Sequence, residues 1–203
     1  MNDRSATTFR TYAANAFDYL NRHRDRSRMA PILRNFASKL PPGSVLDLGC
    51  GPGFDGDQLR KWGHLVVGLD RTKQALRLAA ENYPGPYACA DIRALPIRGS
   101  LAGVWASASL LHLEPAELAH ALRSVRQRLV PHGVLWLSMK EGHGSGWDFT
   151  YGKQHPRWFT YWSPQELDLA LTDAGFEISE SNSSAGARNT WLHRLAVVGA
   201  QAG

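Results

Sequence analysis

From residue 44 onward, short apolar runs alternate with segments whose apolar positions recur every three or four residues. The runs at 44–48, 65–70, 87–90, 102–107 and 133–139 have the length and residue types of buried strands. Between them, 54–62, 72–82 and 115–130 carry helical periodicity, with Thr72 placed as a possible cap of the second. Such alternation predicts a parallel sheet with helices on both faces. The pattern changes after 139. Residues 140–162 read as a long loop, 163–174 as a helix ended by Gly175, and 176–181 and 190–199 as two strands joined by a polar stretch. Two strands with no helix between them suit an antiparallel pair at a sheet edge. Ahead of the alternation, Phe9, Tyr12, Ala13, Phe17, Tyr19 and Leu20 make 8–22 an amphipathic helix. A second helix is expected at 29–39, with Pro31 in its first turn and Pro41-Pro42-Gly43 as its stop. The expected organisation is a helical cap over 1–40 and a single α/β domain over 41–203.

The first strand runs into a glycine cluster, Asp47-Leu-Gly-Cys-Gly-Pro-Gly53, and a helix follows. A strand, a glycine-rich turn and a helix together form a nucleotide-type ligand site in a parallel sheet. Two ligand classes fit. Gly51-x-Gly53-x-x-Gly56, with Asp70 about 20 residues on, matches a dinucleotide fingerprint. Yet Asp47 stands inside the strand, and a carboxylate beside the loop repels a pyrophosphate. It suits a cofactor carrying an ammonium group and a sulfonium centre. Residues 47–53 resemble motif I of the class I methyltransferases that use S-adenosylmethionine, and Asp70 falls where that family's ribose-binding acid falls.

The resemblance extends over nearly the whole chain from residue 44 and implies a Rossmann-like, doubly wound, mostly parallel seven-stranded sheet. It also implies roles. The backbone at Gly49, Cys50, Gly51 and Gly53 would hold the methionine part of the cofactor, with Asp47 near its amino group. Asp70 would accept from both ribose hydroxyls, and Arg71 would lie along the adenine. Asp91 would accept from the adenine amine while Ile92 packs on the ring. Ser107 would run close to the sulfonium, and Tyr12 of the cap would reach the same cleft. His112 is the candidate base, because an imidazole can take a proton near neutral pH.

Residues 140–162 concentrate glycines, aromatic rings and positive charge. So long a connection is usually functional, and it reads as a substrate cover. Lys140, Arg157, Tyr161 and, further on, Trp191 are the expected substrate contacts, suited to an acceptor with an aromatic or apolar body and an acid group.

Composition narrows the picture modestly. The 203 residues suffice for one full core, and a hydrophobic content of 43% with 20% charged residues is that of a globular protein. No apolar run approaches a membrane span and no secretory leader is evident, so a cytoplasmic protein without membrane contact is expected. The two cysteines, Cys50 and Cys89, form no metal-ligand pattern, and no metal is expected. The net charge of +5 permits nucleic-acid binding, but no RNA-binding module is visible. The Asn/Asp-Pro-Pro-aromatic motif of amino-group nucleic-acid methyltransferases is absent where Ser-Ala-Ser-Leu follows the fourth strand.

The expected function is methyl transfer from S-adenosylmethionine, leaving S-adenosylhomocysteine, to an oxygen or nitrogen of a small organic metabolite by a monomer or homodimer. The alternatives are a methyltransferase acting on RNA or protein, an NAD-dependent oxidoreductase, for which no Tyr-x-x-x-Lys pair is visible here, and a non-catalytic cofactor- or partner-binding protein of this fold.

Overall fold

The structure, a computed structural model, describes residues 3–199; the outermost ends of the expected cap and domain, residues 1–2 and 200–203, lie outside the described residues. Seven strands form one sheet: β1 (Ser44–Leu48), β2 (Leu65–Asp70), β3 (Tyr87–Cys89), β4 (Leu101–Ala106), β5 (Leu129–Lys140), and two further strands near the C-terminus, Glu177–Ala185 and Thr190–Val197. In chain order the last two are β8 and β9, because a hairpin of β6 (Ser145–Asp148) and β7 (Arg157–Thr160) intervenes. The sheet order is β3-β2-β1-β4-β5-β9-β8. β1 to β5 pair in parallel, while β9 runs antiparallel to β5 and to β8. The chain therefore turns from one half of the sheet to the other between β1 and β4, the place where open α/β sheets bind ligands.

Helices α4 (Phe54–Lys61), α5 (Lys73–Asn82), α6 (Pro115–Arg128) and α7 (Pro164–Asp173) are the crossovers and flank of this sheet. Local sequence fixes two of their starts. Ser163 Oγ accepts from Glu166 N at 3.2 Å while Glu166 Oε2 accepts from Ser163 N at 2.9 Å, a reciprocal cap with Pro164 at the first helical position. α6 uses Pro115 in the same way, and Glu114 N donates to Glu117 Oε2 at 3.0 Å. The Thr72 side chain does not cap α5; its N–H instead donates to Asp70 Oδ1 at 2.7 Å.

Two apolar cores hold the layers. One lies between the sheet and α6, α7 and the hairpin, and includes Leu118, Leu122, Leu137, Met139 and Phe159. The other lies on the opposite face, where Leu33 and Phe36 of α3 (Ala30–Ser38) meet Trp105 and Trp136. Those two indoles stack with centroids 3.8 Å apart. α3 is thus part of the core, whereas the two helices before it roof the cleft.

Three expectations are corrected in detail. The helix expected at 8–22 is two helices, α1 (Asp3–Ala14) and α2 (Ala16–Arg22). They break at Asn15, whose side-chain amide donates to Thr11 O at 2.8 Å and competes with helix continuation. Residues 140–162 are not one loop but carry the β6–β7 hairpin, in which Trp147 opposes Trp158 and Asp148 opposes Arg157. The polar stretch 182–188 is mostly strand, since β8 continues to Ala185 on the solvent edge. Among the described residues no helix is long and apolar enough to cross a membrane.

Candidate active site

The turn after β1 is built by close approach. Gly49 has φ +74°, and a Cβ there would stand 2.3 Å from the Ser109 Cβ of the turn after β4. Only glycine lets these two turns meet. Gly51, at φ +51°, would project a Cβ towards the Tyr19 ring at 3.8 Å, so its bare backbone faces the cleft.

The backbone N–H groups of this loop are turned inward. Gly49 N and Cys50 N donate to Leu69 O at 2.7 and 2.9 Å, Gly51 N to Asp70 Oδ2 at 2.9 Å, and Gly53 N to Cys50 O at 2.9 Å. Pro52 has none. A pyrophosphate-binding loop needs these donors free. The donor set disfavours a dinucleotide and fits a cofactor with a positive methionine end.

Asp70, at the end of β2, is half-buried and already braced. One oxygen accepts from Gly51 N and the other from Thr72 N, which leaves a second lone-pair direction on each for a diol. Burial pushes its pKa up, against those two hydrogen bonds. Asp47 lies beneath the loop, not in the cleft. Its Oδ2 accepts from Gly56 N at 3.0 Å, and burial together with neighbouring Asp55 pushes it up to about 8. Arg26 holds Asp55 through two contacts of 2.9 and 2.5 Å, and Trp105 Nε1 donates to the same carboxylate at 2.9 Å. The acid of the motif is therefore the base of the loop's foundation.

A cleft of about 960 Å³, solvent at its mouth included, opens over these turns. Of the expected cofactor residues, Gly49, Gly51, Asp70, Arg71, Asp91, Ile92, Ser107 and Tyr12 line it, as does His112; Asp47, Cys50 and Gly53 do not. Cys50 is buried, and desolvation holds its thiol well above the ordinary range. Arg71 donates to Ser5 Oγ at 3.0 Å and sits 4.9 Å from the Phe9 ring, so it ties the α1 roof to the end of β2. Asp91 is gripped by Arg93, through Nε at 2.9 Å and Nη2 at 2.6 Å, which holds its carboxyl below the usual range. Tyr19 also lines the cleft, as do Arg93, Phe9 and Thr8, which were not singled out by sequence. The aromatic positions of the first helices were the available signal, but their orientation depends on the break at Asn15.

At the far end stands a relay of polar groups drawn from three elements. His112 lies in the single 3₁₀ turn after β4. Its Nδ1 is 2.7 Å from the carbonyl oxygen of Trp158, which can only accept, so Nδ1 carries the proton. Nε2 is then a bare acceptor and receives the Tyr12 hydroxyl at 3.0 Å. Arg157 Nη1 donates to that hydroxyl at 3.2 Å, and Arg157 Nη2 is paired with Asp148 at 2.7 Å. Burial lowers the His112 pKa to about 4 and raises that of Tyr12 well above the phenol range. The relay is thus a neutral imidazole and a neutral phenol at neutral pH. The roof is pinned to the hairpin beside it, by Trp158 N to Thr8 Oγ1 at 2.8 Å and by Thr11 Oγ1 to Pro156 O at 2.7 Å. None of the four expected substrate residues, Lys140, Arg157, Tyr161 and Trp191, lines the cleft, and of them Arg157 belongs to the relay.

Fold, glycine turn, braced acid and roofed cleft together define a Rossmann-like domain with a nucleotide-type ligand site. Residues 45–133 match the protein family described as methyltransferase domain. The chain is 36% identical over 101 residues to a malonyl-[acyl-carrier protein] O-methyltransferase of Erwinia pyrifoliae, covering 48% of this chain and 38% of that one. It is 29% identical over 176 residues to the protein of the same description from Pseudescherichia vulneris, covering 75% of this chain and 67% of that one. A SAM-dependent methyltransferase structure from Methanosarcina mazei superposes with a TM-score of 0.74 at 20% identity, covering 84% of this chain and 98% of that chain. The chain spans well under half the length of the first relative and two thirds of the second. The family match covers under half of the chain, and the likeness to these structures is one of fold: the Rossmann-like sheet found in S-adenosylmethionine-dependent methyltransferases.

Proposed function

We propose that the protein transfers a methyl group from S-adenosylmethionine to an oxygen or nitrogen of a small organic acceptor. The observation that carries this reading is the single roofed cleft running from Asp70, past Gly51 and Ser107, to His112 and Tyr12. A cleft of about 960 Å³ roofed by α1 suits a metabolite better than a folded macromolecule. Asp70 would hold the ribose, the Gly49–Gly51 backbone the methionine part, and Ile92 the adenine face. Bound there, the cofactor supplies a methyl group on a positively charged sulfur, already activated for displacement. The chain's own work is alignment and exclusion of water, effects worth about 7–11 kcal/mol when geometry is well fixed.

His112 orients the acceptor more than it deprotonates it. With Nδ1–H fixed on Trp158, Nε2 presents one lone pair, and Tyr12 and an acceptor O–H or N–H compete for it. A pKa near 4 makes it a weak proton sink. This favours a second reading of the acceptor, a carboxylate, which needs no base; both curated relatives carry the description of a carrier-protein-linked malonyl O-methyltransferase.

The test is titration of the purified protein with S-adenosylhomocysteine, NAD and NADP, followed by transfer of labelled methyl groups to panels of phenols, amines, organic acids, acyl-carrier-protein conjugates and tRNA. Micromolar binding of the first ligand alone and label in a small acceptor support the reading. NAD binding, or label in tRNA only, refutes it.

A further inference from the structure

The two ends of the relay fix the direction of every hydrogen bond in it. A guanidinium can only donate, and a carbonyl oxygen can only accept. Arg157 Nη1 donates to the Tyr12 hydroxyl at 3.2 Å, that hydroxyl donates to His112 Nε2 at 3.0 Å, and Nδ1–H donates to Trp158 O at 2.7 Å. All the protons therefore point one way, from guanidinium to carbonyl. β7 supplies both ends, since Arg157 and Trp158 are consecutive in it, and Asp148 holds Arg157 in place at 2.7 Å.

The middle link is the one the cleft reaches. Tyr12 and His112 both line it, together with Ala16, Tyr19 and Ser107. Tyr12 hangs from the α1 roof and His112 stands on the turn after β4, so their contact joins two elements across the cleft. Ring centroids lie 5.3 Å apart for Tyr12 and His112 and 5.9 Å apart for Tyr12 and Tyr19, so rings wall the place. An atom inserted between the Tyr12 oxygen and Nε2 needs them about 5.5 Å apart, the length of two hydrogen bonds. Arg157 cannot take the Tyr12 proton, so the inserted atom must accept from Tyr12 and donate to His112. It must also keep a lone pair for the methyl group. A hydroxyl oxygen, with one proton and two lone pairs, meets all three demands. A neutral amine spends its single lone pair on Tyr12, and a carboxylate has no proton for Nε2.

We infer that the acceptor is a hydroxyl group inserted between Tyr12 and His112, and that this pair determines the specificity for oxygen. Tyr12 already shows the pattern, a hydroxyl that accepts on one side and donates on the other. In the transfer, a lone pair of the acceptor oxygen forms the new C–O bond as the C–S bond breaks onto sulfur. The hydroxyl proton passes to Nε2, and the imidazolium gives it to water when the product leaves. The lowered pKa of His112 is no obstacle, because an oxygen that has gained a methyl group and kept its proton is a far stronger acid than an imidazolium. The inference rests on the methyl-transfer reading, narrows its acceptor to a hydroxyl oxygen and sets the carboxylate aside.

The test uses the full chain, saturating methyl-labelled S-adenosylmethionine, and three acceptors built on one ring: phenol, aniline and benzoate. kcat/KM for phenol should exceed that for each of the others at least about tenfold, the size of one well-made hydrogen bond. Tyr12→Phe keeps the ring but donates nothing, so an amine regains its lone pair. The phenol-to-aniline ratio should then fall at least about tenfold, whereas a loss of packing or of cofactor affinity lowers both rates together. Aniline or benzoate matching phenol, no label in phenol, or a ratio unmoved by Tyr12→Phe would each overturn the inference. Failure of S-adenosylhomocysteine to bind at all would overturn the methyl-transfer reading beneath it.

Discussion

Asp70 and His112 show how much of a side chain's chemistry is set by what it already holds. Asp70 accepts from Gly51 N and Thr72 N, so its carboxylate braces two turns, beside the role proposed for it on the ribose diol. Asp70→Ala should weaken S-adenosylhomocysteine by at least tenfold in calorimetry. It should also cost about 1–3 kcal/mol of stability, because two N–H groups lose their acceptor. Retained affinity would remove Asp70 from the ribose. His112 makes a prediction in pH. Its pKa falls from 6.5 in the unfolded chain to about 4 in the fold. The unfolded chain therefore binds the extra proton between those values, and the stabilisation is full above pH 6.5 and lost as pH falls towards 4, by roughly 3 kcal/mol in total. Asp47, raised from 3.8 to about 8, works in the other direction: its contribution is full below pH 3.8 and lost as pH rises to 8. Comparing urea denaturation of wild type and His112→Gln at pH 4.5 and 7 isolates the first effect. The variant should lose less stability on acidification, and an equal loss would contradict the neutral buried imidazole. Turnover should show no inflection near pH 6.5, since His112 does not titrate there.

At the scale of elements, the joint between α1 and the β6–β7 hairpin is the feature that period and composition did not disclose. The sheet was legible because each strand is an apolar run bounded by helical periodicity, and the glycine turn was legible because its spacing is local. The hairpin strands have four residues each and include glycine, tryptophan and arginine, so their alternation is too short to separate from a loop. The relay through Tyr12, His112 and Trp158 joins residues some 50 to 150 positions apart, and no window along the chain contains it. Its hydrogen bonds give it testable weight. Thr8→Val with Thr11→Val should leave the sheet intact, speed hydrogen exchange at the Trp158 amide, and increase the dissociation rate of S-adenosylhomocysteine several-fold in stopped-flow fluorescence. Unchanged exchange at that amide would mean the roof is held by packing alone.

For the molecule as a whole, cofactor pocket and acceptor wall share one roof. The same helix that reaches Arg71 through Ser5 and Phe9 is pinned to the hairpin through Thr8 and Thr11. Lifting α1 to admit the cofactor therefore dismantles the surface against which an acceptor would rest, and lowering it restores both. In steady-state terms, that coupling imposes a compulsory sequence: the cofactor enters first and its demethylated product departs last. S-adenosylhomocysteine should then compete with S-adenosylmethionine while inhibiting non-competitively against the acceptor. A random-order pattern would show that the two compartments open separately.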